Sequence, residues 1–280
     1  MSDYHFIKRQ FVPAANAIDT FAALSADGTN EGAVLLETAD GLTPDSGKSL
    51  LMLSPCVRVD GFHNRVSLTP LTPNGQCLVS KMASNIDAAV FANDALIIPV
   101  TQGVTASSET ERLQQDSALS VLRVLLQSFS ASHDDERKLF QLTGVFHFET
   151  VEMFEQFESF DSKKTPLNSM NAQRLFRAYL PEIVISIPRA NQPVSAYALV
   201  VAGVNAQKIE NDMSRRLVEL VDQLNQVKPT VPAQGLSPNE VEIDVSDEAF
   251  VNQVSSVKEH LRAGDAFQIV ISRRFFLPCK

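Results

Sequence analysis

Apolar and polar residues alternate in several short segments of the chain, and this pattern predicts β-strands with one buried face. Val57–Val59 and Arg65–Leu71 alternate on either side of the turn Gly61–Asn64, so we expect them to form a hairpin. Ile183–Ile187 and Tyr197–Val201 form a second alternating pair. Uninterrupted apolar runs predict three further strands, which are Ala33–Leu36, Leu50–Leu53 and a buried strand over Phe140–Phe148.

The helical spacing of apolar side chains is clearest in Ala206–Val227. Its apolar stripe consists of six residues, Ile209, Met213, Leu217, Leu220, Val221 and Leu224. An Asn74-Gly75 turn is expected to end the second hairpin strand. Shorter helices are predicted in two segments of the N-terminal part, Ala15–Leu24 and Gln76–Phe91.

A capping box predicts the start of a further helix in the middle of the chain. Ser108 fits the N-cap position of this box and Glu111 its N3 position. The helix carries apolar residues on one side, namely Leu113, Val121, Val124 and Leu125. Strands occur early and again after the middle helix, without a regular strand–helix repeat. This order favours an α+β fold with largely antiparallel sheets packed with helices.

Residues 229–238 contain three prolines and one glycine, which is typical of a linker. We therefore predict one domain over residues 1–236 and the start of another over residues 237–280. In the second domain Ser246 caps a helix that ends at Gly264, and Phe267–Ile271 is predicted to be a strand. One helix and one strand cannot bury their own apolar faces, so this second unit is expected to be incomplete.

Composition excludes several classes of function. The 280 residues carry a net charge of -9, and an acidic surface disfavours nucleic acids and anionic membranes as partners. The three cysteines, Cys56, Cys77 and Cys279, are far apart and form no CxxC pair, which is typical of a reducing compartment. The N-terminal residues lack the apolar core of a secretory signal, and no run is long enough to cross a bilayer. These features predict a cytoplasmic protein.

The sequence contains no recognisable catalytic or metal-binding motif. Gly47-Lys48-Ser49 resembles the end of a P-loop, but the glycine required five positions before Gly47 is replaced by Leu42. The five histidines have no ligand-like spacing. We therefore assign neither a catalytic residue nor a metal ligand in this chain.

Two segments resemble a known family. The first is LLETAD at residues 35–40, followed by Lys48-Ser49, and the second is LRAGDAFQIVISRRF at residues 261–275. Both are similar to anthranilate synthase component I. In that family the first segment has an L-L-E-S signature with a downstream lysine, and the second opens the chorismate-using domain. The resemblance extends over nearly all of the chain, which identifies residues 1–236 as similar to the regulatory domain.

The resemblance implies a feedback site for tryptophan in the N-terminal domain. The matching residues are Glu37, Thr38 and Lys48, with Arg112 as a further candidate. An anion for the ammonium group and polar donors for the carboxylate suit a zwitterionic effector. Thr38 replaces the family's serine with a stiffer side chain, from which we hypothesise weaker feedback. From the residues alone, an exposed Glu37–Lys48 ion pair worth under about 1 kcal/mol is the simpler interpretation, and Arg112 fits a surface position equally well.

The family makes anthranilate from chorismate and ammonia with Mg²⁺, and a glutamine amidotransferase subunit supplies the ammonia. Its catalytic groups lie beyond the position matching Lys280, so this chain is expected to be a fragment that binds no Mg²⁺ and is inactive alone. The exposed final strand then predicts aggregation or association. Two alternatives remain open, the equivalent part of aminodeoxychorismate synthase component I and a catalytically inert amino-acid-sensing module.

Overall fold

The computed structural model describes ten ranges of the chain, which are residues 4–12, 16–37, 47–86, 88–100, 117–127, 138–153, 173–188, 193–203, 205–227 and 241–277. The chain divides into two units, Met1–Pro229 and Thr230–Lys280. Both contain helices and antiparallel strands, so the α+β prediction is confirmed. The structure describes neither residue 236 nor residue 237, and the predicted boundary between them stays a prediction.

A curled antiparallel sheet forms the first unit. Its strands are β1 (Tyr4–Phe11), β2 (Val34–Glu37), β3 (Lys48–Phe62), β4 (Arg65–Pro70), β5 (Val90–Ala92), β6 (Ala95–Pro99), β7 (Thr143–Phe146), β8 (Arg174–Pro188) and β9 (Val194–Val201). The order is β1-β9-β8-β3-β4-β6-β5, with β2 beside β3 and β7 beside β8. The predicted hairpin is confirmed as β3–β4, and the second predicted pair as β8–β9.

The two 15-residue strands β3 and β8 form the centre of the sheet. Leu50–Leu53 and Val57–Val59 were predicted as separate strands, which is wrong because both belong to β3. Between the two predicted segments, the pairing of β3 with β8 shifts its register after Pro55, which faces Pro181. Proline has no N–H for the ladder, so the irregularity is accommodated as a bulge.

Successive residues of β3 contribute to two different cores. Leu50 and Met52 belong to one cluster, and Leu51 and Leu53 belong to the other. Because side chains alternate across a strand, this half of the sheet is covered on both faces. All eight residues of β9 are buried, so its two faces are both covered and the predicted contrast between a buried and a polar face is wrong there.

The described residues of the first unit include the helices α1 (Ala17–Leu24), α2 (Pro73–Asn85), α3 (Ala118–Gln127) and α4 (Ala206–Leu224). Helix α4 buries five members of its predicted stripe, Ile209, Met213, Leu217, Leu220 and Leu224. Helix α2 begins earlier and ends earlier than predicted. Thr72 accepts the N-cap hydrogen bond and Pro73 occupies the first turn, so Asn74-Gly75 opens this helix and does not form a separate turn.

The strand predicted over Phe140–Phe148 is shorter and less buried than expected. Strand β7 spans four residues, and Val145 and Phe146 are at least half exposed. β7 pairs with β8, and a short 3-10 helix (Phe148–Met153) follows it. In the helix expected from the capping box, Val121 and Leu125 are buried whereas Val124 is exposed. Ser108, Glu111 and Leu113 lie outside the described residues, as does the linker over residues 229–238.

The second unit contains β10 (Glu242–Ile243), helix α5 (Asp247–Ala263) and β11 (Phe275–Phe276). Ser246 caps α5, and Gly264 ends it with a left-handed φ of 80°, as predicted. The prediction of a strand over Phe267–Ile271 is wrong. Among the described residues of this unit the paired strands are β10 and β11, and Phe267–Ile271 pairs with neither of them. Phe267 and Val270 are exposed, so β propensity without a pairing edge did not produce a strand.

Candidate functional site

The predicted site residues Glu37 and Lys48 lie at one end of the neighbouring strands β2 and β3. Glu37 is the last residue of β2 and faces Ser49 in the antiparallel register. The Ser49 hydroxyl donates to Glu37 Oε1 over 3.1 Å. Ser49 is buried, whereas the Glu37 carboxylate is exposed. A buried hydroxyl therefore holds an accessible carboxylate, and we refer to Glu37, Lys48 and Ser49 as the strand-end site.

Lys48 belongs to the same strand end but to the other face of the sheet. It precedes Ser49 directly, and adjacent side chains of a strand point to opposite faces. Lys48 pairs with Pro188 of β8 in the register. Both charged side chains are exposed, and the ion pairs among the described residues do not include Glu37 with Lys48. The simple surface ion pair predicted as the alternative is therefore wrong for the described residues.

Thr38 and Arg112 lie outside the described residues, so their part in the site stays a prediction. Ser49 was not predicted as a site residue. Only the register between β2 and β3 identifies Ser49, because this register determines which residue of β3 faces the Glu37 carboxylate. The structure thus brings Glu37 and Ser49 together and leaves Lys48 on the other face at the same strand end.

A second polar cluster lies at the bulge in the centre of the sheet. Glu182 of β8 is fully buried and accepts hydrogen bonds from Thr72 Oγ1 at 2.8 Å and Asn74 Nδ2 at 3.3 Å. Arg216 of α4 forms an ion pair with the same carboxylate and donates to Ser54 Oγ at 2.6 Å. Asn74 also bonds the backbone of β9, at Leu199 and Val201. This network joins the bulge, α2, α4 and β9.

The charge of Glu182 also affects its neighbour Cys56. Burial of the thiol raises the pKa of Cys56 well above its usual range, and the nearby carboxylate raises the pKa further. A raised pKa keeps the thiol protonated and unreactive. The sequence signal for this network is the glutamate within the apolar run Leu180–Ile185, a charged residue at a position where burial is expected.

A cleft of about 390 Å³ opens beside this network, and we refer to it as the α4 cleft. One face of α4 lines it with Arg216, Glu219, Leu220 and Gln223. The remaining lining residues come from α1, the segment before β2, and the bulge, and they are Leu24, Asn30, Glu31, Ala33, Leu53, Ser54, Pro55 and Ile183. All of these residues belong to the first unit.

A charged network borders the α4 cleft at Glu31. The Tyr179 hydroxyl donates to Glu31 Oε1 at 2.6 Å, and Arg58 lies 3.4 Å from the same oxygen. The Tyr179 hydrogen bond lowers the pKa of Glu31, and the charge of Arg58 lowers it further. Arg177 binds both oxygens of Asp60, at 2.6 and 3.1 Å, which raises the pKa of Arg177. These charges fix one another on the sheet surface.

The described ranges contain neither a cluster of metal-binding side chains nor a membrane-spanning helix. No three histidine, cysteine, aspartate or glutamate side chains there are grouped so that they could hold a metal ion. Among the same residues, no helix combines the length and apolar character needed to cross a membrane.

The chain is similar in sequence to several known proteins. Anthranilate synthase component 1 of Vibrio cholerae is 29% identical over 249 residues, covering 88% of this chain and 46% of the relative. The Escherichia coli protein of the same name is 28% identical and covers 90% of this chain and 47% of the relative. The pyocyanine-specific anthranilate synthase component 1 of Pseudomonas aeruginosa is 27% identical over 97% of this chain and 48% of the relative.

The chain spans about half the length of these curated relatives. The family model for chorismate binding enzymes matches residues 83–280, which is well over half of the chain and includes parts of both units. The chain therefore belongs to the chorismate binding enzyme family.

Proposed function

We propose that this chain is the tryptophan-responsive N-terminal part of an enzyme of the anthranilate synthase component 1 type. The observation that carries this proposal is the strand-end site, where Ser49 holds the exposed carboxylate of Glu37 at the end of β2. The three relatives described above bear the name anthranilate synthase component 1, one of them as the pyocyanine-specific form. Their shared name favours this function over that of an aminodeoxychorismate synthase component.

The strand-end site suits the ammonium group of an amino acid. Glu37 is exposed and supplies a negative charge, and the hydrogen bond from Ser49 limits the orientations of its carboxylate. An ammonium donor satisfies the remaining lone pairs of that carboxylate. As the family resemblance implies, we assign Thr38 and Arg112 to the carboxylate and the rest of the effector. Lys48 belongs to the other face of the sheet, so we assign it a supporting positive charge at the strand end and no contact with the Glu37 carboxylate.

A calorimetric titration with tryptophan tests this assignment. We expect saturable binding to the wild-type chain and loss of binding in Glu37→Ala, because the ammonium group then lacks its counter-ion. Glu210→Gln is the matched control, since it removes a half-exposed carboxylate on α4. Equal affinities of the wild type and Glu37→Ala would overturn the effector site. In the same assay, equal affinities of the wild type and Thr38→Ser would refute weaker feedback through Thr38.

The complete enzyme is proposed to convert chorismate and ammonia to anthranilate as a lyase, with Mg²⁺, in tryptophan biosynthesis. A glutamine amidotransferase subunit is proposed as its partner and source of ammonia. The cytoplasmic location stays a prediction. We propose that the 280 residues alone are inactive, because no catalytic group is assigned in them. Incubation with chorismate, ammonium and Mg²⁺ should yield no anthranilate fluorescence, and appearance of that product would contradict the proposal.

A further inference from the structure

The strongest unassigned feature of the first unit is the α4 cleft. Its volume of about 390 Å³ is within the range of small-molecule pockets, which is roughly 300–1,000 Å³. Apolar and polar side chains share its lining equally. The apolar members are Leu24, Ala33, Leu53, Pro55, Ile183 and Leu220. An apolar wall with a few fixed polar groups is the usual composition of a ligand site.

Arg216 supplies a fixed cation at this cleft. Its guanidinium group is held by the buried Glu182 and by Ser54, and its side chain remains 35% exposed. These two contacts use two of the five N–H donors of the group. The guanidinium is therefore oriented before a ligand arrives and retains donors for a carboxylate.

Ser54 reaches Arg216 from an unusual backbone conformation. Its φ is 50°, in the left-handed region that non-glycine residues rarely adopt. The residue lies at the bulge where the register of β3 and β8 shifts. Such conformations persist where the surrounding structure imposes them, and they are enriched at ligand sites.

Glu219 supplies an anion on the same helix face, three residues after Arg216. Its side chain is 62% exposed, and its closest described cation is Arg215 at 3.8 Å. Within a single turn, α4 therefore presents one cation and one anion to the cleft, next to an apolar wall. Glu31 also lines the cleft, but its carboxylate is already bound by Tyr179 and Arg58. A ligand with only one charge would satisfy one of these groups and be repelled by the other.

We propose that the α4 cleft binds a small zwitterion with an apolar body, its carboxylate at Arg216 and its ammonium group at Glu219. The apolar body contacts Leu24, Leu53 and Leu220. This site is separate from the strand-end site, because none of the residues lining the cleft belongs to that site. The inference therefore does not depend on the proposed function.

Calorimetric titrations of the full chain with L-norleucine, hexanoate and hexylamine test the proposal. Norleucine carries both charges, and each of the other probes carries one. We expect norleucine to bind at least about tenfold more tightly than either probe, because each charged hydrogen bond contributes to the affinity. The absence of saturable norleucine binding, or equal affinities for the three probes, would overturn the proposal.

Variants separate the two charges without removing the fold. Glu219→Gln should weaken norleucine binding about tenfold and leave hexanoate binding unchanged or improved. Arg216→Lys keeps a cation beside Glu182 but loses the guanidinium group with its two parallel donors. It should therefore weaken the binding of norleucine and leave the binding of hexylamine unchanged. Circular dichroism checks that each variant folds. Glu210→Gln on α4 should not change norleucine affinity. A Glu219→Gln effect no larger than that of Glu210→Gln would refute the proposal.

Discussion

Replacement of Glu182 by glutamine tests the role assigned to the buried network. Glu182 is fully buried and accepts from Thr72, Asn74 and Arg216, so it is the only described counter-charge within ion-pair distance of Arg216. Glutamine keeps one acceptor oxygen but turns an NH₂ group toward a donor. The substitution removes a charge-assisted bond, worth about 1.5–3 kcal/mol, and leaves a cation without its partner.

Loss of one partner of a buried ion pair costs about 3–5 kcal/mol. Arg216 is 35% exposed and can be partly hydrated, which lowers this cost. We therefore expect Glu182→Gln to reduce the free energy of unfolding by about 2–4 kcal/mol, a large part of the roughly 5–15 kcal/mol of a typical domain.

Urea denaturation followed by far-UV circular dichroism measures this change. Glu210→Gln removes a half-exposed carboxylate of α4 that lies 3.7 Å from His5 Nε2, and it should change the free energy of unfolding by less than about 0.5 kcal/mol. The double variant Glu182→Gln/Arg216→Gln should lose less free energy of unfolding than the two single variants lose together. The difference, which is the coupling energy, should be about 1–3 kcal/mol. If Glu182→Gln matches the control, the network does not stabilise the bulge and the reasoning is refuted.

Three further predictions follow from individual contacts. Gly75→Ala should destabilise the chain by more than about 3 kcal/mol, because its Cβ would lie 1.9 Å from the backbone oxygen of Cys56; thermal unfolding measures the loss, and a wild-type melting temperature would contradict it. Cys56 should react with a thiol reagent only on unfolding, since burial raises the pKa of its thiol, whereas the partly exposed Cys77 should react in the native state. Equal rates in single-cysteine variants would disprove this contrast. The lowered pKa of Glu31 contributes stability that is complete above the ordinary pKa of the carboxyl group and is lost as the pH falls below it. Glu31→Gln should therefore reduce the loss of stability between about pH 5 and pH 3, by under about 1 kcal/mol because the group is exposed, and an unchanged acid limb would exclude this role.

Local signals in the sequence predicted the helices with clear periodicity or caps. The stripe from Ile209 to Leu224 defined α4, and Ser246 with Gly264 defined both ends of α5. These features depend on residues within a few positions of one another, so sequence alone is sufficient for them. The β3–β4 hairpin was predictable for the same reason.

Features that depend on distant pairing were not predictable in this way. The merging of two predicted strands into β3 depends on β8, more than a hundred residues away in the sequence. Phe267–Ile271 has strong β propensity, yet it is not a strand because the described residues offer no edge for it. The buried network likewise joins Glu182 to Thr72 across 110 residues. β-Strand propensity is a property of single residues, whereas a strand forms only where another strand is available to pair with it.

The candidate site was predictable in part. The family resemblance gave Glu37 and Lys48, and the structure places both at the same end of the sheet. The resemblance could not show that Glu37 and Lys48 lie on opposite faces of the sheet, or that Ser49 holds the carboxylate of Glu37. Both facts follow from the register of β2 with β3.

The most direct test of the tryptophan-responsive function uses the fluorescence of tryptophan itself. The chain contains no tryptophan, so indole emission reports the ligand without background from the protein. We predict that the anisotropy of tryptophan rises saturably with the concentration of the wild-type chain. Ser49→Ala should weaken binding less than Glu37→Gln, because it frees the carboxylate without removing its charge. Anisotropy that does not rise, or rises equally with Glu37→Gln, would contradict the account.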